Sequence, residues 1–214
     1  MSELAGSTTR RREATRQRLL GWARQGLAGV GWAAGAVEGV CERAGYTRGA
    51  FYPNVESKEE LFLALTRQVS RERISAVRAR VGALESRDDQ RRRPAGAVAI
   101  IEQVLDISND DRLGVLLMSE IRIHALRNAS FADAYLAQEE EMVDSVAQIV
   151  TDIAERRGFV LRVPAIEAAR LMLMAWEGTS ARSVMAGLDD ERLGQRTSKE
   201  LGRVAQLIIE VPEN

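Results

Sequence analysis

The run Thr47-Arg48-Gly49-Ala50-Phe51-Tyr52-Pro53-Asn54 concentrates side chains that suit contact with a polyanion. Thr47 can cap a helix or bond a phosphate, and the N-terminus of that helix itself favours an anion. Arg48, in the first turn, carries the fork that pairs bidentately with a guanine edge. Gly49 removes a side chain where a backbone could approach a ligand closely. Tyr52 and Asn54 are long enough to reach phosphates, and Lys58, at the start of the next helix, suits a phosphate clamp.

These residues need elements to hold them. Helical spacing of Ala14, Leu19, Leu20, Ala23 and Leu27 predicts a first helix from Arg10 to about Ala28, ended by Gly29, Gly31 and Gly35. A short amphipathic helix follows at Ala36 to Arg43, closed by Gly45. Thr47 opens the next, with Tyr46 and Phe51 at the positions of a hydrophobic staple, and Pro53 ends it. Ser57 and Glu60 form a capping box before a long helix with the stripe Leu61, Leu65, Val69, Ile74, Val77, Val81 and Leu84. Two short helices separated by a Gly-containing turn, after a longer one, describe a helix-turn-helix.

The rest of the chain reads the same way. Helices are expected at Ala95 to about Ile107 and Asp111 to about Arg127, with a third capped by Ser130 and Asp133 and stopped by Gly158. A fourth runs from Pro164 to about Ala186, ended by Gly187, and Asp189 opens a last helix to about Ile209. No stretch of four to eight residues alternates in strand fashion. The fold class is therefore all-α, with nine helices and no internal repeat.

Composition agrees with a folded globule: 45% apolar and 29% charged residues. The longest strictly apolar stretch, Leu171 to Trp176, falls far short of the roughly 20 residues of a bilayer span. Arginines interrupt the N-terminal region where a signal peptide needs an apolar segment, and a single cysteine, Cys41, agrees with a reducing compartment, so a cytoplasmic location is expected. The net charge of −1 hides a division. Residues 1–93 hold 18 Lys/Arg against 11 Asp/Glu, and residues 94–214 hold 12 against 20. Such asymmetry suggests that one half meets an anionic surface.

Ala44-Gly45-Tyr46-Thr47-Arg48-Gly49-Ala50-Phe51-Tyr52, followed by Glu56-Ser57-Lys58-Glu59-Glu60-Leu61-Phe62, closely resembles the signature of TetR-family transcriptional repressors. Thr15-Arg16-Gln17-Arg18-Leu19-Leu20 and Gly31-Trp32 match the Arg-rich opening and Gly-aromatic step of that signature. The motif covers about residues 10–65; beyond them the nine-helix plan is what is shared. The resemblance implies an N-terminal three-helix head that binds DNA and places an aromatic phosphate contact at Tyr52. It departs from the family where Gly35 or Ala36 stands for a capping Ser or Thr, and where Pro53 and Val55 replace a basic or aromatic residue and a Phe.

The resemblance also implies that the last two helices build a four-helix dimer interface, for which Leu173, Leu193, Leu201, Val204 and Ile208 are the candidates. It implies a small-molecule pocket among the middle helices, with Met118, Ile121, Arg122, Tyr135, Met142, Met172 and Trp176 as candidate lining. Methionines suit an adaptable surface, although such a stripe also serves as plain core. Arg122 and the lone His124 could hold an anionic or hydrogen-bonding group, with a structural role favoured.

Other chemistry is set aside. Gly29-Val30-Gly31-Trp32-Ala33-Ala34 fits a loose dinucleotide pattern, but a helix precedes it where a strand is needed. Glu139-Glu140-Glu141 and Asp189-Asp190 lack calcium-loop spacing. One His and one Cys give no internal Cys/His metal cluster and no strong nucleophile–base pair. Asn128-Ala129-Ser130 matches a glycosylation sequon without a secretory context.

The expected organisation is a disordered arm at 1–9, a helix-turn-helix domain at 10–56, a connecting helix at 57–86 and a ligand-binding and dimerisation domain at 87–214. The expected function is that of a ligand-responsive repressor, not an enzyme, binding a pseudo-palindromic operator as a homodimer. Its partners would be double-stranded operator DNA, a second copy and a small-molecule effector, with no cofactor, metal or membrane. The alternative is an all-α enzyme or small-molecule-binding protein with a basic N-terminal head.

Overall fold

The computed structural model describes Gln17, Arg18, Leu20, Gly21, Ala23, Arg24, residues 57–88 and residues 111–210, the side chains of Lys58 and of 84–88 excepted. The helices expected at 10–28, 36–43 and 95–107, the one opened by Thr47 and the turn at 108–110 therefore lie largely or wholly outside the described residues. Among the described residues five helices have defined bounds: α1 Lys58–Asp88, α2 Arg112–Arg127, α3 Ala129–Arg157, α4 Ala165–Met185 and α5 Asp190–Ile208.

Local chemistry sets most of these ends. The Glu60 backbone N–H donates to Ser57 Oγ at 3.0 Å, so the cap of α1 forms where the capping-box spacing places it. Gly114 N–H donates to Asp111 Oδ1 at 2.6 Å, and Arg192 N–H to Asp189 Oδ1 at 2.8 Å. Asp111 and Asp189 thus start α2 and α5 in the same way, each satisfying an orphan donor. Helix α3 starts earlier than expected. Its first turn bonds back to the Asn128 carbonyl, from Phe131 and Ala132, which puts Ser130 inside the helix.

Two glycines stop helices by adopting the left-handed conformation, Gly158 at φ 67° and Gly187 at φ 72°. After Gly187, Leu188 N–H reaches Ser183 O and Gly187 N–H reaches Val184 O, the paired bonds of a Schellman motif. After Gly158, Phe159 N–H bonds Ala154 O at 2.9 Å, the corresponding six-to-one bond. The chain then makes a contact that the sequence pattern does not announce. Val160–Leu161 pairs antiparallel with Ile209–Glu210, as strands β1 and β2, in the register Val160 to Glu210 and Leu161 to Ile209. Two residues per strand are too few to produce a period-two signal.

The chain divides into two compact units. Unit one comprises Met1–Val69 and Leu116–Tyr135; unit two comprises Ser70–Val115 and Leu136–Asn214. In unit one, Leu61, Leu65 and Val69 pack with Phe62, Leu117, Ile121, Phe131 and Tyr135, and Leu20 and Ala23 join them. His124 sits in this core edge-on to Phe62 and to Phe131, each ring centroid 5.0 Å away. The Asn128 amide N–H₂ donates to the His124 carbonyl at 2.9 Å and lies 3.1 Å from its Nδ1. A carbonyl only accepts, which fixes the amide orientation and makes Nδ1 the acceptor. The imidazole proton then sits on Nε2, 3.4 Å from Glu59 Oε1.

In unit two, α4 and α5 pack through small side chains. Ala168, Ala169, Thr179, Ser180 and Ser183 of α4 are buried, as are Gly194, Thr197, Ser198, Gly202 and Ala205 of α5. Their hydroxyls are used: Ser183 Oγ donates to Thr179 O at 2.8 Å, and Ser180 Oγ lies 3.4 Å from Thr197 Oγ1. The start of α2 is tied to the same corner, because Arg112 N–H donates to Asp190 Oδ1 at 2.8 Å and its guanidinium to Val184 O at 3.3 Å. Val77, Val81, Ile153 and Phe159 are partly buried and pack against a common apolar cluster.

Two outcomes follow. A Cβ at Gly158 meets nothing within 4 Å, so Gly158→Ala carries the cost of the left-handed backbone alone. Chemical denaturation should show a loss of about 1–2 kcal/mol. Glu59 is held below the ordinary glutamate range first by its own backbone N–H, with burial opposing and Ser57 and His124 adding smaller effects in the same direction. A depressed carboxyl contributes stability that is present above its unfolded pKa and lost as pH falls through the folded one. Glu59→Gln should therefore lower stability at neutral pH and flatten the acid limb of a stability–pH curve below about pH 4.5. An acid limb identical to that of the unsubstituted chain would contradict this role.

Candidate functional site

Thr47, Arg48, Gly49, Tyr52 and Asn54 lie outside the described residues. Lys58 is the first residue of α1. The Ser57 cap and the depressed Glu59 carboxyl occupy the same turn. That turn is anchored by Leu61, Phe62 and Leu65, all buried in unit one. The element that follows the expected recognition segment is accordingly fixed by a cap on one side and a core on the other.

The seven expected pocket residues divide between the units. Met118, Ile121, Arg122 and Tyr135 belong to unit one. Ile121 and Tyr135 are buried members of its core, Met118 packs against that core, and Tyr135 stacks on Phe131 with centroids 6.1 Å apart. Met142, Met172 and Trp176 belong to unit two and are all partly buried. There the Arg73 guanidinium lies over the Trp176 ring, 4.1 Å from its centroid, a cation–π contact between α1 and α4.

Among the described residues of unit two, one that is absent from the expected set has buried polar atoms without partners. Gln138, on α3, is 5% exposed, and neither its Oε1 nor its Nε2 has a hydrogen-bond partner. Its position within the helical stripe could have marked it, one turn before Met142. A glutamine among charged neighbours, Glu139 to Glu141, reads as part of a solvated face, and that concealed it.

The expected interface residues also separate. Leu193, Leu201 and Ile208 are buried within the single chain, so their apolar surface has already left water before any partner arrives. Leu173 and Val204 are half-buried. What α4 leaves exposed is larger and apolar: Leu171 at 41%, Met174 at 62% and Met185 at 84%. At 100° per residue these three fall within a stripe about 60° wide. Gly178 lies within it, covered by the Arg182 guanidinium, which an added Cβ would meet at 3.3 Å.

Among the described residues no group of three His, Cys, Asp or Glu is arranged to hold a metal ion, and no helix is long and apolar enough to cross a membrane.

Residues 19–65 match the family model of bacterial regulatory proteins of the tetR family. None of the curated proteins matches the chain in sequence. Solved structures match it in fold. A protein of Mesorhizobium loti assigned to the TetR-family transcriptional regulators is 14% identical with a TM-score of 0.68, over 94% of this chain and 99% of that one. A TetR transcription regulator of Haloarcula marismortui is 16% identical with a TM-score of 0.67, over 92% and 100%. A TetR-family transcriptional regulator of Streptomyces coelicolor is 20% identical with a TM-score of 0.58, over 91% and 95%. Residues 19–65 thus match the N-terminal domain of the tetR family, and the chain is similar in fold to solved TetR-family regulators.

Proposed function

We propose that the protein is a ligand-responsive transcriptional repressor that binds a pseudo-palindromic operator as a homodimer. The family domain and the fold support a DNA-binding transcriptional regulator. The observation that carries the reading is the match over residues 19–65, because this segment contains every expected DNA-contacting residue from Thr47 to Lys58. In this reading Arg48 reads a base edge, while Thr47, Tyr52, Asn54 and Lys58 bind phosphates and Gly49 lets the backbone approach. Base contacts then set sequence preference and phosphate contacts set register and salt dependence.

The exposed stripe of α4 supports the homodimer. Leu171, Met174 and Met185 leave an apolar surface that a second copy would cover. Two copies would hold their recognition helices roughly 34–36 Å apart, one turn of DNA. Ligand control needs an effector with different affinities for the DNA-binding and the released states. Unit two, with Met142, Met172, Trp176 and Gln138, supplies the residues for it.

Two measurements test this. In a gel-shift titration, Arg48→Ala should weaken operator binding by about 1–3 kcal/mol and relax preference at one base pair per half-site. Unaltered specific binding would overturn the assignment of Arg48. In sedimentation at micromolar concentration the protein should be a dimer, and Met174→Asp combined with Met185→Asp should give folded monomer. A monomeric unsubstituted protein, or a dimer indifferent to both changes, would overturn the α4 interface.

A further inference from the structure

We infer that Gln138 is the hydrogen-bonding anchor of the effector site, and that the effector is a neutral molecule presenting an adjacent donor and acceptor, as a carboxamide does, on an apolar body. The inference rests on the ligand-responsive reading above and names the chemistry of its ligand. Gln138 is 5% exposed, and both polar atoms of its side chain are buried without a hydrogen-bond partner. Folded proteins rarely leave such groups unmet. Unit two meets others: Ser183 bonds Thr179 O, Ser180 meets Thr197, and Thr179 Oγ1 accepts from Arg182.

The position is not one that backbone geometry demands. Gln138 lies well inside α3, ten residues beyond Asn128, so it caps nothing. A leucine or methionine there would complete the apolar stripe and leave no polar atom to satisfy. Glu140 and Glu141, the next residues but one and two, are exposed, so the helix does present its charges to water and turns Gln138 away from it. One turn on, Met142 is half-buried and offers the adaptable apolar surface that the body of such a ligand would meet.

The ligand class follows from the inventory of the side chain. A carboxamide holds two donors on Nε2 and an acceptor on Oε1. A carboxylate ligand, which only accepts, would leave Oε1 unmet. An ammonium, which only donates, would leave Nε2 unmet, and a hydrocarbon would leave both. A neutral amide, lactam or related donor–acceptor pair satisfies both in one planar contact.

The test uses Gln138→Met, which keeps length and removes both polar atoms, in the full chain. Without ligand, the variant should melt roughly 2–4 °C above the unsubstituted protein, because an unmet buried pair is removed. With benzamide at about 10 mM as the probe, the unsubstituted protein should gain about 2 °C or more and the variant nothing, while toluene should shift both equally. A variant that melts lower shows that Gln138 is already satisfied, by water or protein, and overturns the inference. So does benzamide acting on both proteins alike, or on neither. The underlying reading is judged separately, by whether a compound that stabilises the unsubstituted protein also releases it from operator DNA. Failure there removes ligand control and leaves the melting results with Gln138 as they stand.

Discussion

Helix α4 turns its small side chains inward and its large apolar ones outward. Ala168, Ala169, Ser180 and Ser183 are buried where α5 packs, and Leu171, Met174 and Met185 are left to water. On α5 the buried face mixes Gly194, Gly202 and Ala205 with Leu193, Leu201 and Ile208, and the residues that α4 buries are mostly small. The chain gains a tight helix pair and keeps an apolar surface that a single copy does not cover. Burial scales with area at roughly 25 cal/mol per Å², which makes that surface expensive to expose. A second copy is the simplest partner that would cover it symmetrically.

Around this pair the structure uses short-range devices. Asp189 caps α5, Gly187 ends α4 through a Schellman motif, and Arg112 bonds both Asp190 and Val184. The β1–β2 pairing brings the residues after α3 beside those after α5, with Arg162 N–H donating to Ile208 O at 2.9 Å. Unit one relies on other means. Phe62 and Phe131 pack edge-on against the His124 imidazole, Tyr135 stacks on Phe131, and Nδ1 of the imidazole lies 3.1 Å from the Asn128 amide. Helices α1, α2 and α3 each contribute residues to both units.

What was legible in the sequence was local. Ser57, Asp111, Asp189, Gly158 and Gly187 announce helix ends because a cap or a left-handed turn needs one residue type at one place. The family resemblance of the N-terminal segment was legible because the expected cap, staple, turn glycine and Ser-Lys start occur at fixed offsets, and residues 19–65 match the family model. Long-range facts were not. A two-residue strand has no period to detect. Leu193, Leu201 and Ile208 form a clean stripe, but a stripe does not say whether it faces its own chain or another. Ile121 and Tyr135 look as suitable for a pocket as for a core, and the structure places them in a core. Gln138 stands in the helical stripe of α3, but its distinction is the absence of partners in three dimensions, which a sequence does not display.

The proposed function requires a head that reads DNA as one half of a symmetric pair. Footprinting of the purified protein on the DNA flanking its own gene tests that directly, across a range of salt. Protection of a pseudo-palindrome with half-site centres about 10 base pairs apart, weakening steeply as salt rises, is the expected result. Uniform protection without a preferred site, or none at low salt, would contradict it.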